Sequence, residues 1–342
     1  MITAKLKNCV CGQAYSQART MLLLLVICVV SFPASAAETA LKKASLAPLW
    51  SPQAQFAGYL VALDKGIYTR HGIDLTILKG GPGHSPVQSL QNGKADFGIL
   101  WLTTALIHAS SGTKLVNVAQ IIQRSSMLLI SKKSSGIRTV ADMNGKKVGL
   151  WGGELSIPTR ALFARYGVKV REVPQSQTVN LFLRGGIDVT SAMWYNEYHI
   201  ILNAGVDPEQ LNVVSLSEHG MNFPEDGIYT LKKRHQMDPA LSYAFSAASM
   251  EGWRYAFAHP DEALDIVIKY MREAQLPANR IHQKWMLDRM RDLIMPGTLQ
   301  IAPGILKEVD YRAVGISMQK DGLIRNYPDY TAFTGRYNAG GK

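Results

Sequence analysis

Trp50-Ser51-Pro52-Gln53-Ala54-Gln55-Phe56-Ala57-Gly58-Tyr59-Leu60-Val61-Ala62-Leu63-Asp64-Lys65-Gly66 is the stretch whose reading decides the fold. An apolar run over 46–50 precedes it and reads as a short buried strand. Pro52 and two glutamines break the strand. Phe56, Tyr59, Leu60 and Leu63 then recur at helical spacing, and Gly66 stops the helix. The order is strand, loop, helix. In open α/β sheets ligands sit outside the carboxyl ends of strands, where such loops lie. The stretch therefore reads as one wall of a binding site.

Outward from it the same grammar continues. Residues 73–78 alternate apolar and polar and read as a strand. A Gly-Gly-Pro-Gly loop at 80–83 leads to a helix opened by Ser85 and Pro86. Further strands are expected at 95–100 and 115–122, with a helix at 103–110 between them. This β-α-β-α-β order predicts a parallel sheet covered by helices. A second set begins near Met127, with strands at 127–131, 147–151, 168–173 and 189–194. A helical turn at 140–144 and helices at 157–166, 178–183 and 195–204 separate them. From Asp238 the pattern turns helical, over 238–257, 259–273, 279–294 and 303–320. Asp238-Pro239 is a cap followed by a proline at the first helical position. The tail from Tyr327 reads as loosely ordered. The expected class is α/β with two lobes, each a central sheet with flanking helices.

Length and composition agree with this. The chain has 342 residues, 47% of them hydrophobic, enough for two lobes with real cores. The formal charge is +11, and Lys5, Lys7 and Arg19 carry three of these, leaving +8 on the rest. Those charges are scattered rather than run together, so no nucleic-acid partner is expected. The same three residues form a basic leader before the apolar run 21–30. Phe32-Pro33 breaks that run, and Ala34-Ser35-Ala36 fits a small-x-small cut. Residues 1–36 thus read as a secretory signal peptide. The run is too short to span a bilayer comfortably. Cys9, Cys11 and Cys28 all precede the cut, so the exported chain would carry no disulfide and no thiol. The residues before Cys28 lack the small side chain that lipoprotein processing needs. A soluble, monomeric periplasmic protein of a Gram-negative cell is expected.

The residues suited to chemistry cluster at strand ends. Trp50, Trp101, Trp151 and Trp194 each end or follow an expected strand, with Phe56 and Tyr195 nearby. Aromatic faces suit a flat heteroaromatic ligand, each stacked pair contributing about 0.5–1.5 kcal/mol beyond area burial. Phe56 and Trp101 fit a core role equally well. Glu197 can accept from an exocyclic amine and a protonated ring nitrogen, or can sit as a first-turn acid favoured by the helix dipole. Asn196 can donate and accept beside it. Gln55 and Glu154, the latter after Gly152-Gly153, are further candidates. The loop 80–85 can cradle an anion or serve as a plain capped turn. His84, His108, His199 and His219 form no metal spacing, and no nucleophile-base pair stands out. No catalytic residue, metal or cofactor is expected.

Several motifs, in order, resemble a known group. These are Trp50-x-Pro52-x-x-Gln55-Phe56-Ala57-Gly58-Tyr59, Gly72-Ile73-Asp74-Leu75, Gly80-Gly81-Pro82 and Gly93-Lys94-Ala95-Asp96-Phe97-Gly98. Asn144-Gly145-Lys146-Lys147-Val148-Gly149, Tyr195-Asn196-Glu197, Glu225-Asp226-Gly227-Ile228-Tyr229 and Ala258-His259-Pro260-Asp261-Glu262-Ala263 complete the series. Over about residues 45–275 the chain resembles the periplasmic substrate-binding proteins of ABC importers in the NMT1/THI5-like (SsuA/THI5) group. The resemblance implies a type II periplasmic-binding-protein fold, two lobes joined by crossing segments near 125–130 and 220–230. Lobe 1 would comprise 37–127 and 226–342, and lobe 2 residues 128–225. It further implies a small heterocyclic ligand in the cleft and an inner-membrane ABC permease as partner. The Gln55-Phe56-Ala57-Gly58 and Tyr195-Asn196-Glu197 motifs look like the branch that carries thiamine-precursor pyrimidines; relatives of similar pattern bind other heterocycles or sulfonates. A eukaryotic branch makes a thiamine pyrimidine with a cysteine-rich motif. An exported chain without cysteine is expected to bind rather than catalyse, for uptake or for sensing.

Overall fold

The computed structural model describes residues 40–295 and 304–334. The expected signal peptide lies outside them. Ten strands form two five-stranded sheets. The strands are β1 (Lys42–Ala47), β2 (Ile73–Ile77), β3 (Phe97–Trp101), β4 (Leu115–Gln120) and β5 (Met127–Lys132). They continue with β6 (Lys147–Trp151), β7 (Arg171–Gln175), β8 (Val189–Met193), β9 (Leu211–Ser215) and β10 (Asp226–Leu231). The strand orders are β2-β1-β3-β10-β4 and β7-β6-β8-β5-β9.

Both sheets are mixed, which corrects the all-parallel expectation. β1, β2 and β3 run parallel, but β10 is antiparallel to β3 and β4. β6 is parallel to β7 and β8, while β5 is antiparallel to β8 and β9. The reversed strands are the two that follow a crossing. The chain leaves the first sheet after β4 through residues 121–126 and returns through 220–225. The crossings are tied together. Ile121 and Ile122 donate their N–H groups to the Asp226 carbonyl at 3.0 and 2.9 Å. Glu225 donates to the Ile122 carbonyl at 3.2 Å, and the Gln120 side-chain amide caps the Ile122 and Glu225 carbonyls.

The opening stretch is held by a close helix pair. The helix Ala57–Asp64 lies against the helix Pro239–Ala258. A Cβ at Gly58 would collide with the Trp253 indole, and one at Gly252 with the Gly58 carbonyl. Only glycine permits this approach, so Gly58→Ala is expected to cost about 1–3 kcal/mol by overpacking. A thermal melt checks this; a melting temperature equal to that of the parent chain would refute the close packing. Asp238 does cap its helix, accepting the Leu241 N–H at 3.0 Å, with Pro239 at the first position.

The tail corrects a second expectation. Tyr327, Tyr330 and Phe333 pack around the Tyr311 ring, and the Tyr330 hydroxyl donates to the Leu306 carbonyl at 2.6 Å. Phe333 is fully buried. Aromatics three residues apart anchor the chain here as far as residue 334. The helix expected from 303 spans Glu308–Lys320, because Gly304 bridges to Gln120 instead.

Candidate ligand-binding cleft

Four strand ends converge, two from each sheet. Trp50 follows β1, Trp101 ends β3, Trp151 ends β6 and Met193 ends β8. Between them lies a cavity with about 410 Å³ of empty space including its mouth. Leu49, Gln53, Gln55, Leu155, Tyr195, Asn196 and Glu197 complete its lining. Of the residues expected from sequence, Trp50, Gln55, Trp101, Trp151, Tyr195, Asn196 and Glu197 line the cavity together. Gln53 joins them from the opening stretch and Met193 from the stretch 193–198 that reads as the opposite wall, while Leu49 and Leu155 are additions beside strand ends.

Three expected residues lie elsewhere. Phe56 is buried in the core, beside Tyr59. Glu154 contacts His108 Nε2 at 2.6 Å, both side chains partly exposed, so the pair joins segments that follow β6 and β3. Trp194 lies under the Arg289 guanidinium, 4.8 Å from its ring centre. The strand ends at Met193 and a turn follows, closed by the Asn196 N–H donating to the Met193 carbonyl at 3.0 Å; Met193 and Tyr195 line the cavity and Trp194 does not.

Each wall places an amide on a buried acid. Gln53 Nε2 donates to Gln55 Oε1 at 2.7 Å, and Gln55 Nε2 donates to Asp226 Oδ2 at 2.8 Å. Burial pushes the Asp226 carboxyl up to about 6, against the lowering effect of Gln55 and the neighbouring Trp101 indole. Trp101 and Asp226 sit opposite each other in register. The indole N–H lies near Asp226 without meeting hydrogen-bond geometry, so it and Asp226 Oδ1 both remain unpaired. On the facing wall, Glu197 Oε2 accepts from the Met193 N–H at 2.9 Å, and Oε1 accepts from Asn196 Nδ2 at 2.8 Å. Burial pushes Glu197 up to about 7. Glu197 is 5% exposed, which removes the solvated first-turn alternative.

A third acid, Glu225, sits in the returning crossing. It accepts from the Ser126 N–H at 2.6 Å, the Ser126 hydroxyl at 2.8 Å and the Ser125 hydroxyl at 3.2 Å, so it pins one crossing to the other. Burial pushes it up to about 8. Tyr195 feels all three acids, and its hydroxyl is raised by burial and then by their charge. The described lining contains no lysine or arginine. Such a cleft favours a ligand that donates hydrogen bonds and disfavours an anion. Among the described residues no cluster of three metal-ligating side chains occurs, and no helix is long and apolar enough to cross a membrane.

A family model described as NMT1/THI5 like matches residues 53–263. The chain belongs to the NMT1/THI5-like family. The chain is 26% identical over 262 residues to a riboflavin-binding protein, RibY, of Chloroflexus aurantiacus, covering 71% of each. It is 22% identical to a formylaminopyrimidine-binding protein of Halalkalibacterium halodurans, over 75% of this chain and 79% of that one. Among solved structures it is similar to the periplasmic aliphatic sulphonate binding protein SsuA of Escherichia coli. That match has a TM-score of 0.64 and 15% identity, covering 85% of this chain and 91% of the other. The two-sheet architecture of this family member is thus the periplasmic-binding-protein fold.

Proposed function

We propose that this chain is the periplasmic solute-binding component of an ABC importer, and that its cleft takes a small, flat, amine-bearing heterocycle of the thiamine-precursor pyrimidine kind. The carrying observation is the lining itself: three tryptophans around a buried glutamate, with no cation among the described lining residues. The indoles supply faces for a ring, and Glu197 supplies acceptor capacity for an exocyclic amine. A relative named for formylaminopyrimidine supports the ligand class. Relatives named as binding proteins support capture rather than catalysis. Residues 37–127 with 226–342 and residues 128–225 act as the two lobes in this reading. Ligand contacts from both sheets favour the closed state, which an inner-membrane permease then receives.

Calorimetry with a panel tests the ligand class. An aminopyrimidine is expected to bind at micromolar Kd or tighter, and an alkanesulfonate at least about a hundredfold more weakly, since no cation in the lining offsets its charge. Tight sulfonate binding would overturn the proposal. Riboflavin belongs in the panel because of the RibY similarity, and its flat tricycle also suits indole faces.

A further inference from the structure

The helix Arg280–Ile294 touches both walls of the cleft. One face carries Gln283 and Met286. Gln283 Oε1 accepts the Ala54 N–H at 2.7 Å, and Met286 Sδ accepts the Gln55 N–H at 3.2 Å, fixing the backbone under the first wall. The adjacent face carries His282, Trp285 and Arg289, spaced to share one side of a helix. Trp285 stacks on His199 at 4.6 Å and donates its indole N–H to the Trp194 carbonyl at 3.2 Å. His282 Nε2 lies 2.9 Å from Asn196 Oδ1, and its Nδ1 lies 2.9 Å from His199 Nδ1.

These bonds have a fixed direction once Glu197 is ionised. The carboxylate can only accept, so Asn196 must present its Nδ2 group to it. Asn196 Oδ1 then faces His282, which must donate from Nε2. A neutral imidazole carrying that proton has a lone pair on Nδ1, which faces His199 Nδ1, and Asn203 Nδ2 lies 3.2 Å from that same His199 nitrogen. Burial, followed by the His199 neighbour, holds His282 down to about 4, and burial also lowers His199, so both are neutral near pH 7. Asn279 caps the helix by accepting the His282 N–H at 3.1 Å, which seats this residue at the first turn.

We propose that His282 is a specificity-determining positioning residue: it orients the Asn196 amide and thereby keeps Glu197 an acceptor for a ligand amine. The proposal rests on the cleft reading given above for the ligand, but its structural core does not. Without His282 the Asn196 amide is free to turn its oxygen toward Glu197, and the carboxyl loses a donor that favours its charged form. His282 reaches Asn196 from a helix whose other face holds the opposite wall. The two walls therefore meet through protein as well as through ligand.

The test uses His282→Phe, which keeps a ring against His199 but has neither nitrogen, and His282→Gln, whose side-chain amide restores a donor. His282→Ala is the second loss-of-contact variant should the phenyl ring not pack. The first readout needs no ligand: the carbon-13 carboxyl titration of Glu197, assigned with Glu197→Gln. Its midpoint is expected to rise by about half a pH unit or more in His282→Phe and to stay near the parent value in His282→Gln. Glu197, Tyr195, His199 and His282 are the titratable groups along this path, with Glu225 and Asp226 acting on Tyr195. The second readout is the affinity ratio between 4-amino-5-hydroxymethyl-2-methylpyrimidine and its 4-oxo analogue. It is expected to fall about tenfold in His282→Phe and to recover in His282→Gln. An unchanged midpoint and ratio in His282→Phe would overturn the positioning role, while loss of the ratio in Glu197→Gln would leave the cleft reading standing. A parent protein with no preference for the amine defeats the ligand reading, and the titration still decides the role of His282.

Discussion

Glu197→Gln is expected to weaken binding of an aminopyrimidine by about ten- to hundredfold, as hydrogen bonds to a charged group contribute about 1.5–3 kcal/mol. The substitution keeps size and burial but turns one acceptor into a donor. That donor faces the Met193 N–H or the Asn196 Nδ2 group, each of which already donates to the carboxylate. The 4-oxo analogue, with no amine to offer, should lose little. A pH series separates charge from shape. Glu197 sits near 7, so its ionised fraction falls about tenfold per pH unit well below that. Affinity for a neutral amine should decline toward acid in the parent protein and stay flat in Glu197→Gln. Calorimetry between pH 5.5 and 8 reads both. Equal affinities for parent and variant across that range would remove Glu197 from the site.

The unliganded protein is expected to lose stability as pH rises from about 5 to 8, opposite to the usual behaviour of carboxylates in ion pairs. Glu197, Glu225 and Asp226 are raised by burial to about 7, about 8 and about 6, from ordinary values of 4.5, 4.5 and 3.8. Between those limits the folded chain keeps protons that the unfolded chain has released. The stability from these three acids therefore falls with pH through the window; His282, lowered from 6.5 to about 4, opposes them in its lower part, but with one proton against their three. A tenfold gain in proton affinity on folding corresponds to about 1.4 kcal/mol. The three acids together thus contribute on the order of several kcal/mol, and the melting temperature should drop by on the order of 5 °C or more. Glu225→Gln should flatten the upper part of the curve, because a neutral amide can still accept from the Ser126 N–H and donate to its hydroxyl. Differential scanning calorimetry reads this directly. A melting temperature that climbs from pH 5.5 to 8 would contradict the burial of these acids as charged-state penalties.

Local pattern carried part of this organisation and could not carry the rest. Residues 73–77 alternate buried and exposed, and their strand was legible. β10 was not, because every residue from Asp226 to Thr230 is buried and its partners lie more than a hundred positions earlier. Its reversed direction follows from the second crossing, which no spacing rule reports. In the cleft, Trp50, Trp101 and Trp151 were legible because a strand end fixes where a side chain goes. Phe56 was not separable from them, since one step along a turn decides between cavity and core. Trp194 shows the same limit at finer scale, with its neighbours on both sides facing inward. The supporting groups were the least legible. Asp226 reaches Gln55 across 171 positions and His282 reaches Asn196 across 86, so neither partnership leaves a local trace.

The family match ends at residue 263, while the helix that touches both walls begins at Arg280. Divergence in what relatives carry can therefore accumulate outside the span by which they are recognised. Two members can inherit the same ring-facing residues and still differ in cargo through a segment that never meets it. Comparing relatives by their lining alone would miss that source of variation. Exchanging the segment around 279–294 between two members would be the direct way to expose it.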